Sequence, residues 1–347
     1  MGLRVRGGGP DPPNPPGPSS VHGEGRRPAA PAVLTESQAV KRASDRPRRL
    51  SPLASLRLSR PGDRRTGGEV TTEQLDEESL HLTFERSGGH GDPVAFVHGG
   101  WDDRSAWDLV VPGLSDAVQV LVYDRRAHGT SSGPPRRRPV RDDASDLARL
   151  LESTELFPAH LVAHGYGGAV ALRLAVDRPE FVRSIALHEV PFVGLLGDSS
   201  PDPGAGPSVE DGLAQVGRLA LGGTVEAAAR GYLGLFASPD EQWTELDEPS
   251  RGSLLRNALA WAEEMRDPEA LRPSAEELGG IAVPVLATAG GRSPPFASQI
   301  HERLVSALPN AKALSLRDAG HFVHRTDPDL LVGVLGSFLL ERNVPTT

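Results

Sequence analysis

The chain has 347 residues, enough for one large domain or two small ones, and a formal net charge of −9 at pH 7. The charge is uneven, because residues 1–68 carry 13 Lys and Arg against 5 Asp and Glu. The remainder is therefore strongly acidic, which argues against nucleic acid as a partner of the folded part. The absence of cysteine excludes disulfides, zinc–thiolate sites and a thiol nucleophile.

Residues 1–68 also hold 11 of the 32 prolines and contain no long apolar run. Such a segment cannot bury enough surface to offset the entropy lost on ordering, so we predict a disordered basic tail rich in Pro, Gly and Arg. The tail lacks the apolar core of a secretory signal peptide, and its arginines leave a transit peptide as an alternative to a solvated tail. The sequence has no run of about 18 apolar residues, so we expect no membrane span and a cytoplasmic protein.

From about residue 69, short apolar runs alternate with stretches of helical periodicity. The predicted strands are Leu80–Glu85, Pro93–Val97, Val118–Asp124, His160–Ala163, Val182–Glu189, Val283–Thr288 and Ala313–Leu316. The predicted helices include Arg104–Leu114, Asp142–Glu155, Ala169–Val176, Phe296–Leu308 and Asp327–Leu340. This alternation is typical of an α/β fold, in which helices flank a mostly parallel central sheet.

Between about residues 192 and 279 the alternation stops. The stretch contains three predicted helices, Val209–Leu221, Val225–Phe236 and Ser253–Met265, and no strand-like run interrupts them. Helices inserted beside the catalytic edge of such a sheet would form a cap over the binding pocket. We therefore predict one domain over residues 69–342, with a helical cap at about 192–279.

The predicted strand at His160 runs into the turn His164-Gly-Tyr-Gly-Gly168 and then into a helix. This is the setting of a nucleophile elbow, in which a G-x-S-x-G turn lifts a serine above the edge of the sheet. In this chain Gly165 occupies the position of the serine. The two glycines that follow let the helix approach the strand, and the amide of Tyr166 lies at the helix N-terminus, facing a developing oxyanion.

Four motifs resemble those of the α/β-hydrolase superfamily in their order and spacing. They are His98-Gly-Gly-Trp101, Tyr123-Asp-Arg-Arg-Ala-His-Gly129, His164-Gly-Tyr-Gly-Gly168 and Ala319-Gly-His-Phe322. The resemblance implies the α/β-hydrolase fold from about residue 69 to residue 342. Because this fold hosts many chemistries, the function has to be argued from the site.

The resemblance also implies roles for the residues of these motifs. Gly100 and Trp101 fall in the loop that donates one amide to the oxyanion hole, and Tyr166 supplies the second amide. His321 matches the general base. A histidine at this position can also persist because it packs and forms hydrogen bonds at the rim of the site, which we keep as an alternative.

The acid that orients the histidine is less directly indicated. In many members an aspartate follows the late strand, but Ser293 occupies that position here, so this part of the triad is degenerate. Other members take the acid from the end of the strand after the elbow helix, where Glu189 stands. We predict that Glu189 is the partner of His321, the alternative being an exposed or salt-bridged carboxylate at a strand end.

Glycine at position 165 has no attacking atom, and three functions remain open. The first is an enzyme without covalent catalysis, in which His321 removes a proton and backbone amides stabilise the anion during hydrolysis, elimination or cyclisation. The second is a non-catalytic ligand-binding relative of the hydrolases. The third is an ordinary esterase-like serine hydrolase that carries a Ser-to-Gly substitution at Gly165.

The substrate is predicted to be a small and mostly apolar molecule, because four tryptophans fall near the site or in the cap. They are Trp101, Trp107, Trp243 and Trp261, and packing in the core is the equal alternative for each. His128 and His164 are predicted to be structural. The sequence shows neither a histidine pattern with metal spacing nor a dinucleotide-binding glycine motif, so we predict no metal and no cofactor. The oligomeric state is left open.

Overall fold

The computed structural model describes residues 33–34, 71–77, 80–133, 139–197, 208–236, 243–244 and 246–340. The chain divides into two units, residues 1–30 and 31–347, and all described residues lie in the second unit. Apart from the two-residue strand Val33–Leu34, the predicted tail 1–68 lies outside the described residues. Its disorder therefore stays a prediction.

The described part of the chain forms one sheet covered by helices. The strands are β1 (Val33–Leu34), β2 (Thr71–Glu77), β3 (Leu80–Gly88), β4 (Pro93–Val97), β5 (Gln119–Tyr123), β6 (Ala159–His164), β7 (Val182–His188), β8 (Val285–Gly290) and β9 (Ala311–Leu316). Their order is β1-β9-β8-β7-β6-β4-β5-β3-β2. The pairs β2–β3 and β3–β5 are antiparallel, and the other pairs are parallel. The mostly parallel sheet predicted from the sequence is confirmed.

The central strands are buried on both faces, which explains their nearly continuous apolar sequences. Every residue of β6 and of β8 is buried. Alternate side chains of β4 enter separate cores, since Ala95 and Val97 pack in one cluster and Val94 and Phe96 in the other. The sheet therefore has a hydrophobic core on each face.

The α-helices lie between and after these strands. They are α1 (Val140–Ser153), α2 (Tyr166–Asp177), α3 (Val209–Leu221), α4 (Val225–Leu233), α5 (Glu248–Glu264), α6 (Pro268–Leu271), α7 (Ala275–Gly279), α8 (Pro295–Ala307), α9 (Val323–Thr326) and α10 (Pro328–Leu340). None of the helices in the described ranges is long and apolar enough to cross a lipid bilayer.

One predicted helix is replaced by shorter turns. The stretch Arg104–Leu114 forms two 3-10 turns, Arg104–Trp107 and Val111–Gly113. Asp103 caps the first turn by accepting a hydrogen bond from the amide of Ser105, and the second contains Pro112, which has no amide hydrogen to continue a helix. The apolar spacing is thus correct for packing but not for a continuous α-helix.

We call α3, α4 and α5 the cap helices, since they lie in the chain between β7 and β8 and border the site described below. Buried polar contacts attach α5 to the loops at the sheet edge. The Arg125 guanidinium donates to the Glu264 carboxylate at 2.6 Å, and the Asn257 amide donates to the Asp102 carbonyl oxygen at 2.8 Å. Because these groups are buried, their partners must be kept, which fixes α5 in place.

Candidate active site

The turn after β6 has the geometry of a nucleophile elbow. Gly165 has φ +52° and ψ −124°, a conformation that side-chain-bearing residues rarely adopt. A Cβ atom at Gly167 would lie 2.3 Å from the Val97 carbonyl oxygen, and one at Gly168 would lie 2.2 Å from the Val190 side chain. These two glycines are therefore required by close packing, as predicted.

Gly165 differs from the other two glycines of the turn, because space does not require it. A Cβ atom added there would meet only the Gly99 Cα at 3.8 Å and the His321 Cε1 at 4.0 Å. Both distances are ordinary van der Waals contacts. The site therefore has room for a Cβ atom at position 165 that the sequence does not supply.

Glu189 is placed beside the elbow by the end of β7. Its backbone lies in the left-handed region, with φ +46°, which is uncommon for a residue other than glycine. One carboxylate oxygen accepts a hydrogen bond from the Gly290 amide at 2.7 Å, and the other lies 2.9 Å from His321 Nδ1. Both oxygens are thus engaged, and the carboxylate is held in one orientation.

His321 lies in the loop after β9 and is buried. Because the Glu189 carboxylate can only accept, Nδ1 carries the proton of the neutral ring and Nε2 presents a lone pair. Burial and the neighbouring His164 lower the pKa of His321 below its ordinary value, although the hydrogen bond to Glu189 acts to raise it. The imidazole is therefore neutral near pH 7 and is able to accept a proton.

The charge on Glu189 is maintained despite its burial. Burial alone would raise the pKa of this carboxyl group, but the hydrogen bond from His321 and the adjacent His188 hold it well below its ordinary value. The structure thus brings Glu189 to His321, whereas the Ser293 hydroxyl has no hydrogen-bond partner among the described residues.

Two aromatic residues near the cap helices enclose His321 and were not predicted from the sequence. The Tyr232 hydroxyl lies 3.2 Å from His321 Nε2. The Phe236 ring stacks on the imidazole with centroids 3.8 Å apart and planes 6° apart. The signal that could have indicated Tyr232 is its position on the buried face of α4, where a polar-tipped aromatic residue sits among alanines.

A cavity opens beside these residues. Gly165, Tyr166, Glu189, Tyr232 and His321 contribute to its polar end. The rest of the lining is apolar and includes Val190, Val193, Leu213, Leu235, Met265, Phe296 and Ile300. A mostly apolar cavity with a few convergent polar groups is typical of a small-molecule site.

The residues of the predicted oxyanion hole border the same cavity. Gly100 lines it, and a Cβ atom there would lie 2.4 Å from Trp261 Cδ1, so a glycine is required beneath the cap. Tyr166 begins α2 and therefore lies at the positive end of the helix dipole. This arrangement fits the predicted anion-stabilising role.

The model of the alpha/beta hydrolase family matches residues 94–334, more than half of the chain. The chain belongs to this family. The predicted superfamily and fold are therefore confirmed, whereas the chemistry at Gly165 remains to be argued from the site.

Two relatives that are similar in sequence to this chain are named as different kinds of protein. It is 26% identical over 266 residues to the magnesium-chelatase 30 kDa subunit of Rhodobacter capsulatus, covering 72% of this chain and 87% of that protein. It is 36% identical over 112 residues to the dihydrolipoyllysine-residue acetyltransferase component of the acetoin cleaving system of Cupriavidus necator. That match covers 32% of this chain and 30% of the relative.

Solved structures support the same family fold. The enol-lactonase from Burkholderia xenovorans is similar with a TM-score of 0.60 and 20% identity, covering 77% of this chain and 99% of that chain. At this level of identity the similarity shows the fold and leaves the substrate open.

The four tryptophans lie in different parts of the hydrolase fold. Trp261 lines the cavity. Trp101 is buried against the cap, where it stacks on Tyr232 with centroids 4.9 Å apart. Trp107 and Trp243 are not among the residues that line this cavity, and both show the alternative, packing in a core. Trp107 packs against Phe96 in the core on the other face of the sheet, and Trp243 lies in the core of the cap beneath two arginines.

A second cluster of histidine and carboxylate groups lies next to the His321–Glu189 pair, which we call the dyad. The sequence analysis did not predict this cluster. Asp102, His164 and His324 each offer one ligand atom within 4.8 Å of the other two. All three are buried. Arg325 already donates to the Asp102 carboxylate at 2.7 Å, and it holds the pKa of Asp102 well below the ordinary value in spite of burial. The positive charge that a metal ion would supply is therefore provided by the chain itself.

Proposed function

We propose that the protein is a small-molecule enzyme that uses the His321–Glu189 pair as a general base without forming an acyl-enzyme. The observation that carries this proposal is the 2.9 Å contact between His321 Nδ1 and Glu189, made beside a cavity whose elbow position holds glycine. A structural histidine needs no buried carboxylate fixed on both oxygens and strained at its backbone. Such an arrangement is typical of a positioned catalytic base.

The reaction follows from what His321 can reach. Its Nε2 takes a proton from a water molecule, the resulting hydroxide attacks an ester or lactone carbonyl, and the amides near Gly100 and Tyr166 stabilise the oxyanion. The protonated imidazole, stabilised by Glu189, then returns the proton to the leaving oxygen. Proton abstraction from carbon, leading to elimination or cyclisation, needs the same groups and is the second form of this chemistry.

The cavity favours an uncharged and mostly apolar substrate. Within the described residues its lining contains no lysine or arginine, and its one charged group is the Glu189 carboxylate. An anionic substrate would be repelled by this carboxylate in a water-poor site, whereas a neutral ester, lactone or ketone would not. The proposed partner is thus a neutral small molecule, and we propose no nucleic acid or membrane partner.

A ligand-binding protein without activity is the competing function. The observation that favours it is the enclosure of His321 by Tyr232 and Phe236, which leaves the base covered. The two functions differ in one measurable property, because only the enzyme requires a proton acceptor at position 321.

The test compares the unmodified protein with His321→Ala and Glu189→Gln on a panel of neutral esters and lactones. The proposal expects turnover by the unmodified protein, no labelling by a fluorophosphonate probe, and loss of turnover in His321→Ala with the fold retained. Tight binding of panel compounds without turnover in any of the three proteins would instead favour the ligand-binding function. Labelling of the unmodified protein by the probe would contradict the absence of a nucleophile.

A further inference from the structure

The hydroxyl of Tyr232 lies at the imidazole nitrogen of His321 that Glu189 does not contact. In a serine hydrolase the imidazole nitrogen that is not bound to the acid accepts a hydrogen bond from the serine hydroxyl. Here the corresponding atom, His321 Nε2, has the Tyr232 hydroxyl at 3.2 Å. The carboxylate of Glu189 occupies Nδ1, so the phenol is the donor to the lone pair of the neutral ring. A hydroxyl from the cap thus takes the place of a hydroxyl from the elbow.

The position of Tyr232 is fixed by its aromatic neighbours. Its ring stacks on Trp101 at 4.9 Å with planes 21° apart. It also contacts Trp261 at 5.6 Å and meets Phe236 edge-on at 5.3 Å. A ring held by contacts on several sides presents its hydroxyl with little rotational freedom. Tyr232 also lines the cavity, so the same hydroxyl can reach a bound substrate.

We propose that Tyr232 is a catalytic proton carrier between His321 and the leaving oxygen of the substrate, an inference that rests on the proposed function. In this step, the Tyr232 O–H turns from Nε2 toward the leaving oxygen, and water gives one proton to His321 Nε2 as its oxygen bonds to the carbonyl carbon. When the bond to the leaving oxygen breaks, that oxygen takes the proton of Tyr232, and His321 returns its proton to the phenolate. The products are an acid and an alcohol, and both residues return to their starting state.

The electrostatic setting of Tyr232 agrees with a donor rather than a nucleophile. Burial raises the pKa of Tyr232 well above its ordinary value, and the negative charges of Asp102 and Glu189 act in the same direction. A free phenolate is therefore strongly disfavoured. Transfer to the leaving oxygen must be concerted with reprotonation by His321, for which the 3.2 Å contact provides the path.

The principal test is Tyr232→Phe, which keeps the aromatic stack and removes only the hydroxyl. Paired substrates with the same acyl group should carry an alkyl alcohol or p-nitrophenol as the leaving group. For the alkyl ester we expect kcat to fall roughly 10²-fold with little change in KM, because this leaving group needs a proton. For the p-nitrophenyl ester we expect kcat to be nearly unchanged, because p-nitrophenolate leaves without one. A merely structural role would affect both esters alike.

Tyr123→Phe is the matched control, since it also removes a buried phenol hydroxyl but lies on β5 in the core beneath α1. It should leave both rates unchanged. A second measurement uses the Gly165→Ser background, in which the new serine would compete with Tyr232 for Nε2. Adding Tyr232→Phe there should raise the rate of fluorophosphonate labelling roughly two- to tenfold, the worth of one hydrogen bond.

The outcomes separate this inference from the proposed function. Turnover that His321→Ala abolishes and Tyr232→Phe leaves unchanged for both leaving groups overturns the proton carrier and keeps the enzyme. Equal losses for the two leaving groups also overturn it, because they indicate a structural role. Absence of turnover in the unmodified protein overturns the proposed function and the proton carrier together. An unchanged labelling rate in the double variant shows that Tyr232 does not occupy Nε2 and overturns the inference.

Discussion

Two clusters of histidine and carboxylate groups lie side by side at the carboxyl ends of the parallel strands. In the first, Glu189 contacts His321 at 2.9 Å and the pair borders the cavity. In the second, Asp102 lies 3.6 Å from His164 and 3.7 Å from His324. The imidazoles of His164 and His321 are only 4.5 Å apart between centroids. The same residue types therefore meet two environments within a few ångströms.

The two clusters differ in the positive charge that faces each carboxylate and in whether a substrate can reach the histidine. Asp102 is neutralised by Arg325, and burial holds the pKa of His324 well below its ordinary value although Asp102 acts to raise it. Glu189 has a backbone amide and a histidine as partners, and its negative charge remains available to stabilise a protonated imidazole. Only the first cluster opens on the cavity. On the proposed function, His321 rather than His164 or His324 acts as the base, because no arginine neutralises its carboxylate partner and a substrate can approach it.

The largest expected effect separates the two clusters by activity. Replacing His321 with alanine should lower kcat/KM by roughly 10²- to 10⁴-fold, because general base catalysis is lost. His164→Ala should lower the thermal stability and leave a much larger share of kcat/KM than His321→Ala does. His164 donates a hydrogen bond to the His321 carbonyl oxygen in the interior, so its loss is expected to affect mainly the fold. Steady-state kinetics and thermal unfolding of both variants measure this contrast. Equal loss of activity in the two variants would remove the distinction.

The next effect separates the clusters by stability. Asp102→Ala leaves the mostly buried Arg325 without its main partner, so the free energy of unfolding should fall by about 3–5 kcal/mol. Glu189→Gln keeps a hydrogen-bonding group of the same size and should cost clearly less. Urea unfolding followed by circular dichroism gives both values. The comparison would be wrong if Glu189→Gln proved the more destabilising change.

A third prediction concerns the pH dependence of the base. His321 acts in its neutral form, so kcat/KM should fall as the pH drops through the pKa of His321 and stay level above it. That pKa lies below the ordinary histidine value of 6.5 because of burial and His164. Glu189→Gln removes a charge that raises the pKa, so the acid limb should move to lower pH. A shift of the acid limb to higher pH in this variant would contradict the assigned contact.

The sequence is sufficient to predict the site residues that follow the ends of the parallel strands. It is not sufficient to predict the site residues of the cap. Glu189 could be predicted because it ends the strand beside the elbow strand, and parallel strands bring such ends together. His321 followed from its motif. Tyr232 could not be predicted, because its position depends on packing against Trp261 of α5, and α5 is in turn attached to the sheet by contacts distant in sequence, such as Arg125 with Glu264.

The tryptophans show the same limit at single residues. Trp107 follows the predicted oxyanion loop closely in sequence, yet it turns to the opposite face of the sheet and packs on Phe96. Spacing along a short turn with a proline does not fix which face a side chain enters. Trp261 reaches the cavity from a helix far along the chain. Nearness in sequence to a motif was therefore a poor guide to the lining of the pocket.

A fourth prediction, with a smaller expected effect, tests whether a serine introduced at the elbow beside the first cluster is activated by His321. Gly165→Ser should fold, because a Cβ atom there meets no atom closer than 3.8 Å. Its φ of +52° should cost about 1–3 kcal/mol of stability for a residue that bears a side chain. The variant should react with a fluorophosphonate probe, and this reaction should need His321. Labelling of Gly165→Ser that persists in the His321→Ala background would show that the dyad is not assembled for catalysis.

The smallest expected effect is on metal binding by the second cluster. Asp102, His164 and His324 have a ligand spacing that a divalent ion could use, and neither ring nitrogen of His324 has a hydrogen-bond partner among the described residues. Arg325 nevertheless places its own cation on the Asp102 carboxylate, so an added ion would face a positive charge in a buried site. Refolding in the presence of Zn²⁺ should therefore leave Tm unchanged. A gain of more than about 2 °C, roughly 1 kcal/mol for a domain of this size, that is lost in His324→Ala would instead make this cluster a metal site. The two clusters would then differ in their ligands rather than in their countercharge.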